Sequence, residues 1–219
     1  MKRIGIVGGL GAAAGARMLD LVVKEYQRRG ATRDDEFPEM VLHSMSSRGL
    51  DERGVADRAR LRADLTCSIE MLNGYGVDTI LIACNSAYED YEYLQSISRA
   101  TVLNMVEIAV ATATKGARRV GVITSASTKN CALYASALTA RGVEIVQTTD
   151  KQQRIIDRVI AQVIAGKQGY DTQCELATVV QCMQGDGAER VILGCTELPL
   201  AAFPGFQYID PSVEMVRTL

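Results

Sequence analysis

The chain has 219 residues, of which 47% are hydrophobic and 23% are charged, a composition typical of a folded globular protein. Its 24 basic and 26 acidic side chains leave a formal net charge of −2, and no long run of Lys or Arg occurs. The charge pattern therefore gives no support for a nucleic-acid or anionic-membrane partner. Every apolar run is far shorter than the ~20 residues of a membrane-spanning helix, so we expect no membrane segment.

The N-terminal residues Lys2 and Arg3 precede an apolar run that stops at Gly8-Gly9. We interpret this run as a buried strand rather than a secretion signal, because it turns amphipathic at once. We therefore expect a cytoplasmic protein whose six cysteines are thiols. With no CxxC pair and a single histidine, a structural metal site is not expected.

Short apolar runs alternate along the chain with longer segments of helical periodicity. The predicted strands are 3–7, 39–44, 78–83, 101–104, 119–124, 143–147 and 190–193, with a weaker candidate at 207–209. The predicted helices include 56–75, 128–141, 152–165 and 172–185. This alternation predicts an α/β fold with mainly parallel sheets flanked by helices.

One stretch of sequence occurs twice in weakly similar form. In both copies, at 76–86 and 187–197, a glycine is followed by an aliphatic strand and then by a cysteine eight residues after the glycine. We therefore predict two pseudo-symmetric lobes, 1–99 and 100–204, with a segment from about 205 to 219 returning to the first lobe. We expect the active site in the cleft between the lobes.

The two repeated cysteines, Cys84 and Cys195, each follow a predicted strand and precede small polar residues. The carboxyl ends of parallel strands form the ligand crevice of open α/β sheets. Free N–H groups at the helix starts there favour a thiolate, so we expect lowered thiol pKa values. Two buried structural cysteines are the alternative, because free cysteine is among the most buried residue types.

Three loops could hold a carboxylate. The glycine loop that contains Gly9 and Leu10 allows close backbone approach, but alanine at position 14 makes it a weak match to a dinucleotide-binding loop. In the second lobe, Thr128 ends a hydroxyl-rich segment that binds carboxylates or only caps a helix. Arg48 and Arg53 follow the second strand and either pair with a carboxylate or stay solvated.

Together, the glycine loop 8–11, Cys84-Asn85-Ser86 and Cys195-Thr196-Glu197 resemble the signatures of the aspartate/glutamate racemase superfamily, in particular its cofactor-independent aspartate and amino-acid racemases. The resemblance implies an enzyme of two lobes that needs neither PLP nor a metal, and usually a homodimer. It also implies that Cys84 and Cys195 form the acid/base pair. The candidate substrate-binding residues are Gly9, Leu10, Arg48, Arg53, Asn85, Ser86, Thr128, Lys167, Thr196 and Glu197.

One departure from the family pattern bears on the substrate. Aspartate racemases of this family often carry a lysine where this chain has Ile164, and Lys167 follows three residues later. If Lys167 reaches the cleft, aspartate or glutamate is the expected substrate. If it does not, the pocket is more apolar and a neutral or larger amino acid is expected.

The sequence and the resemblance thus predict a racemase that interconverts L- and D-amino acids, with aspartate or glutamate as the leading substrates. A thiolate and a thiol act on opposite faces of the substrate. Two alternatives stay open. A relative on the same scaffold could decarboxylate or isomerise a substrate beside a carboxylate, and a non-catalytic relative could only bind carboxylates.

Overall fold

A computed structural model describes residues 2–51 and 54–219, with the side chain of Asp51 left out. The chain forms two parallel sheets covered by helices. The strands are β1 (Arg3–Gly8), β2 (Glu39–Ser44), β3 (Leu50–Asp51), β4 (Gly54–Val55), β5 (Thr79–Ile82), β6 (Thr101–Val102), β7 (Arg119–Ile123), β8 (Glu144–Gln147) and β9 (Arg190–Leu193). The first sheet has the order β2-β1-β5-β6 and the second the order β8-β7-β9. A short antiparallel pair, β3 and β4, follows the first two strands.

Nine α-helices connect and cover these strands in the described ranges. They are α1 (Ala12–Arg28), α2 (Arg58–Tyr75), α3 (Tyr91–Ile97), α4 (Met105–Ala113), α5 (Ala126–Asn130), α6 (Leu133–Thr139), α7 (Asp150–Ile164), α8 (Tyr170–Gly185) and α9 (Pro211–Val216). Local sequence fixes their ends. Asp57 caps α2 by accepting a hydrogen bond from the Arg60 N–H, and the helix stops at Gly76, whose φ is 66°.

The inner strands β1 and β7 are buried on both faces of their sheets. In the first sheet, Ile6 pairs with Leu42 on one side and Leu81 on the other. Helices cover both faces of such a sheet, which explains why the strands are apolar runs without alternation. One hydrophobic core contains residues from both sheets, including Ile6 and Val120, and a second core lies beneath α7 and α8. The two sheets are therefore packed together and form one continuous body.

The predicted strands 39–44 and 190–193 coincide with β2 and β9. The predicted helix 128–141 is wrong in one respect: the chain forms two helices there, α5 and α6, separated at Ala132. Ala132 has a φ of 55°, a left-handed conformation that costs an alanine about 1–2 kcal/mol. The first sheet also extends beyond residue 99, because β6 pairs with β5.

The C-terminal segment contacts the second sheet and helices of both halves of the chain. Ile209 forms a single parallel bridge with Ile192 of β9, so the weak strand candidate contributes only one pairing residue. The chain then enters α9, which packs against α4 and α1. Arg17 on α1 donates a hydrogen bond to Asp210 at 2.5 Å, and this contact ties the start of α9 to α1. Among the described helices, none is both long and apolar enough to cross a membrane.

Candidate active site

The two repeated cysteines lie on one cavity, although they belong to different sheets. Cys84 follows the carboxyl end of β5, and Cys195 follows that of β9. Both line a cavity of about 390 Å³, near the lower end of the ~300–1,000 Å³ typical of small-molecule sites. The carboxyl ends of the two sheets therefore face each other across a space large enough for a small ligand.

Most of the candidate substrate-binding residues line the same cavity. The residues that do so are Gly9, Leu10, Asn85, Ser86, Thr128, Thr196 and Glu197. They come from three loops that follow β1, β5 and β9 and from the start of α5. The loops are far apart in sequence, and they meet because the strand ends of both sheets converge on the cavity.

The structure describes two of the three candidate cationic residues, and neither of these two lines the cavity. Lys167 is exposed and is not among the cavity-lining residues, because α7 ends at Ile164 and Gly166 turns the chain away with a φ of 68°. Arg48 is likewise exposed and absent from the lining. The structure therefore does not bring either residue into the lining of the cavity. Arg53 lies outside the described residues.

The Cys84 thiol is buried beside several hydrogen-bond donors. The N–H groups of Ala87 and Ser86 and the Ser86 hydroxyl contact the sulfur, and each of them lowers the thiol pKa. Burial outweighs them, however, and raises the pKa of Cys84 from 9.0 to about 11, with a smaller contribution from the negative charge of Glu197. The expectation that helix N–H groups lower this pKa overall is therefore wrong.

Cys195 has a carboxylate as its immediate neighbour. Its Sγ donates a hydrogen bond to Oε2 of Glu197 at 3.1 Å, and the Thr196 hydroxyl donates to the same oxygen at 3.1 Å. Burial and the Glu197 charge together hold the pKa of Cys195 well above its ordinary value. Burial also raises the pKa of Glu197, because removing a carboxylate from water disfavours its charged form. Burial and the neighbouring carboxylate therefore both favour the protonated form of the two thiols.

Hydroxyl groups join the two sides of the cavity. The Ser86 and Thr128 hydroxyls lie 2.7 Å apart, and the Ser125 hydroxyl donates to Thr128 at 3.1 Å. The first of these contacts links the loop after β5 to α5 of the second sheet. These hydroxyls are grouped where a bound carboxylate would find several donors.

Sequence reasoning missed several lining residues. Gly11 is one, and its φ of 107° and its contact with Glu197 leave no room for a side chain. Ile160 and Ile164 are the others that bear on specificity, because they lie four residues apart on α7 and add an apolar wall. In the sequence, the only signal for this wall was Ile164 itself, which stands where aspartate racemases of the family often carry a lysine. No group of three or more possible metal ligands occurs within 2–51 and 54–219.

A model of the family described as Asp/Glu/Hydantoin racemase matches residues 7–218 of this chain. The chain belongs to this family. The match confirms the family expected from the three motifs, and it identifies the protein as a racemase and hence as an isomerase.

Relatives that are themselves racemases agree with the assignment. This racemase is 26% identical to the broad specificity amino-acid racemase RacX of Bacillus subtilis strain 168 over 196 residues, which cover 89% of this chain and 85% of the relative. The aspartate racemase of Picrophilus torridus has a TM-score of 0.79 at 21% identity, covering 99% of this chain and 91% of that one. The glutamate racemase of Francisella tularensis subsp. tularensis SCHU S4, solved with D-glutamate, has a TM-score of 0.69 at 18% identity, covering 99% and 79%. The structural likenesses confirm the two-lobed α/β fold.

Proposed function

We propose that this racemase inverts the α-carbon of an amino acid with Cys84 and Cys195 as its two bases, without PLP. The observation that carries the proposal is the meeting of these cysteines, from different sheets, on one cavity. In this proposal the two sulfurs lie on opposite faces of a ligand bound between the strand ends, so that each reaches one face. A carboxylate-binding protein without catalysis has no need for this pair.

In the proposed reaction, one sulfur acts as a thiolate and removes the α-proton from one face. The C–H bond breaks, an S–H bond forms, and the electron pair stays on the α-carbon, conjugated with the carboxylate. The other thiol then donates its proton to the opposite face and becomes a thiolate. The two sulfurs have exchanged roles, so the reverse reaction uses the same pair, and proton exchange with solvent resets the enzyme.

The cavity offers distinct partners to the two charged groups of an amino acid. We assign the α-carboxylate to the Ser86 and Thr128 hydroxyls and the Asn85 amide, because these donors are grouped on one side. Their hydrogen bonds strengthen as negative charge moves onto the carboxylate. We assign the α-ammonium group to Glu197, the carboxylate that lines the cavity beside Cys195.

The ammonium group also bears on the protonation of the thiols. Glu197 is the second cause of the raised pKa at both cysteines. An ammonium group beside Glu197 would offset that charge, and it would lower the thiol pKa values toward the working pH. Substrate binding would then favour the thiolate that the reaction needs.

We further propose a neutral aliphatic side chain on the substrate. The wall formed by Leu50, Ile160 and Ile164 is apolar, and no lysine or arginine lines the part of the cavity that the structure describes. Among the described residues, no cation would pair with a side-chain carboxylate buried there. Burying an unpaired charge costs free energy. Aspartate or glutamate is the competing assignment, and it would require Arg53 to supply the positive charge.

The deciding experiment follows α-proton exchange in D₂O with a panel of single enantiomers. Early in the reaction, the product enantiomer should carry deuterium while the remaining substrate stays protonated, as a two-base mechanism requires. Cys84→Ser and Cys195→Ser should each lower the racemisation rate by at least about a hundredfold. Cys67→Ser and Cys182→Ser, at exposed cysteines, are the matched controls. Near-normal rates in both cavity variants would refute the two-base assignment.

The family resemblance is also our basis for proposing a homodimer and a cytoplasmic location. Light scattering coupled to size-exclusion chromatography tests the first, and cell fractionation tests the second.

A further inference from the structure

A buried tyrosine of the second lobe reaches the cysteine loop of the first. Tyr134 lies in the first turn of α6 and is 2% exposed. Its hydroxyl donates a hydrogen bond to Oδ1 of Asn85 at 2.5 Å, across 49 positions of sequence. Asn85 directly follows Cys84, so the contact joins α6 to the loop that carries the first thiol.

The ring of Tyr134 also contacts the second cysteine loop. A Cβ placed on Gly194 would lie 2.7 Å from Cε2 of this ring and 2.8 Å from Cγ2 of Thr124. Gly194 directly precedes Cys195, and its N–H donates to the Ile123 carbonyl at 2.7 Å. The ring therefore packs against the second cysteine loop, while its hydroxyl reaches the first cysteine loop.

The hydrogen bond to Tyr134 determines how the Asn85 amide is oriented. Burial holds the pKa of Tyr134 well above its ordinary value, so the phenol keeps its proton and acts as a donor. The amide oxygen accepts this hydrogen bond at 2.5 Å, and Nδ2 is left as a buried donor with no partner among the described residues. An unpaired buried donor costs about 1–3 kcal/mol, and Asn85 lines the cavity beside Cys84.

We propose that Tyr134 is a positioning residue that locks the Asn85 amide with Nδ2 available to the substrate carboxylate. This inference rests on the proposed function, because it takes the ligand to be an amino acid. The α-carboxylate supplies the acceptor that Nδ2 lacks among the described residues. Without the phenol hydroxyl, the amide can rotate and present its oxygen, which repels a carboxylate.

The variant that isolates the hydroxyl is Tyr134→Phe, because phenylalanine keeps the ring against Gly194. We expect kcat/KM to fall by about tenfold or more, with a rise in KM as the carboxylate loses its amide donor. Tyr91→Phe is the matched control. It removes a hydroxyl that donates to the Val102 carbonyl at 3.3 Å, and Tyr91 does not line the cavity, so its kinetics should match wild type.

A double-mutant cycle separates positioning from general stability. If Tyr134 acts through the amide, Tyr134→Phe should change kcat/KM by less than about threefold in an Asn85→Ala background. An equal loss in both backgrounds, or no loss in the wild-type background, overturns the inference and leaves the proposed function intact. A wild-type protein that exchanges no α-proton with any amino acid overturns the proposed function itself.

A measurement on the unchanged chain covers the case in which Tyr134→Phe does not fold. The side-chain NH₂ signals of Asn85 can be assigned in a ¹⁵N spectrum by their absence in Asn85→Ala. On addition of an amino acid that the enzyme racemises, these signals should move as Nδ2 gains an acceptor. Signals that stay in place at saturation overturn the inference.

Discussion

The Cys195 thiol and the Glu197 carboxylate are direct hydrogen-bond partners, with Sγ 3.1 Å from Oε2. The other carboxylate oxygen, Oε1, lies against Gly11 of the loop after β1. Glu197 therefore connects the second thiol to the glycine loop of the first lobe. Through this one carboxylate, the geometry of the glycine loop and the protonation of the thiol become linked.

The first prediction concerns the pH dependence of thiol alkylation. Burial and the Glu197 charge raise the pKa of Cys84 to about 11, so its reactive thiolate is about a hundredfold scarcer below pH 9 than that of an ordinary thiol with a pKa of 9.0. The alkylation rate of Cys84, followed by mass spectrometry, should therefore keep rising tenfold per pH unit above pH 9. The exposed Cys67 and Cys182 are internal controls in the same sample.

The Glu197→Gln variant tests whether the negative charge of Glu197 raises the pKa values of the cavity thiols. Removing the negative charge should lower the pKa of both cavity thiols, and alkylation should level off at a lower pH than in the wild type. An alkylation profile at Cys84 that levels off near neutral pH in the wild type would contradict the burial argument.

The second prediction tests the contact between Gly11 and Glu197. A Cβ on Gly11 would lie only 1.8 Å from Oε1, so Gly11→Ala must displace the carboxylate, and we expect kcat/KM to fall about tenfold or more. Gly30→Ala is the matched control, because Gly30 has a similar φ of 101° with nothing within 4 Å. Both variants should lose about 1–2 kcal/mol of unfolding free energy from backbone strain. Equal kinetics in the two variants would show that the position of Glu197 does not matter.

The third prediction concerns the substrate side chain. Ile164 is 53% exposed at the cavity, so Ile164→Lys places a cation there without burying it fully. We expect the ratio of kcat/KM for aspartate to that for a neutral aliphatic amino acid to rise about fivefold to tenfold. Met71→Lys adds the same charge at an exposed apolar position of α2 away from the cavity, and the ratio should not change.

Two further variants complete that test. Lys167→Ala should leave the ratio unchanged, because Lys167 is exposed beyond the end of α7. A wild-type preference for aspartate that disappears in Arg53→Met would assign the acidic pocket to Arg53 and would refute the neutral side chain.

The fold class and the location of the two thiols were readable from the chain alone. Apolar runs such as 190–193 are long enough to define buried strands, since a parallel sheet covered on both faces admits little else. The repeated strand-to-cysteine segments then placed Cys84 and Cys195 at strand ends. These inferences succeeded because they depend on residues that are close in sequence.

Tertiary structure decided what depends on residues far apart. The sequence predicts one helix over 128–141, but the chain breaks it at Ala132, and Tyr134 just beyond the break reaches Asn85. The pKa values of the two thiols likewise depend on residues far apart in sequence. Helix N–H groups are visible in sequence, whereas the burial and the Glu197 charge that outweigh them exist only after folding. Solvent exclusion and contacts between distant residues set these properties, and neither is written in local sequence.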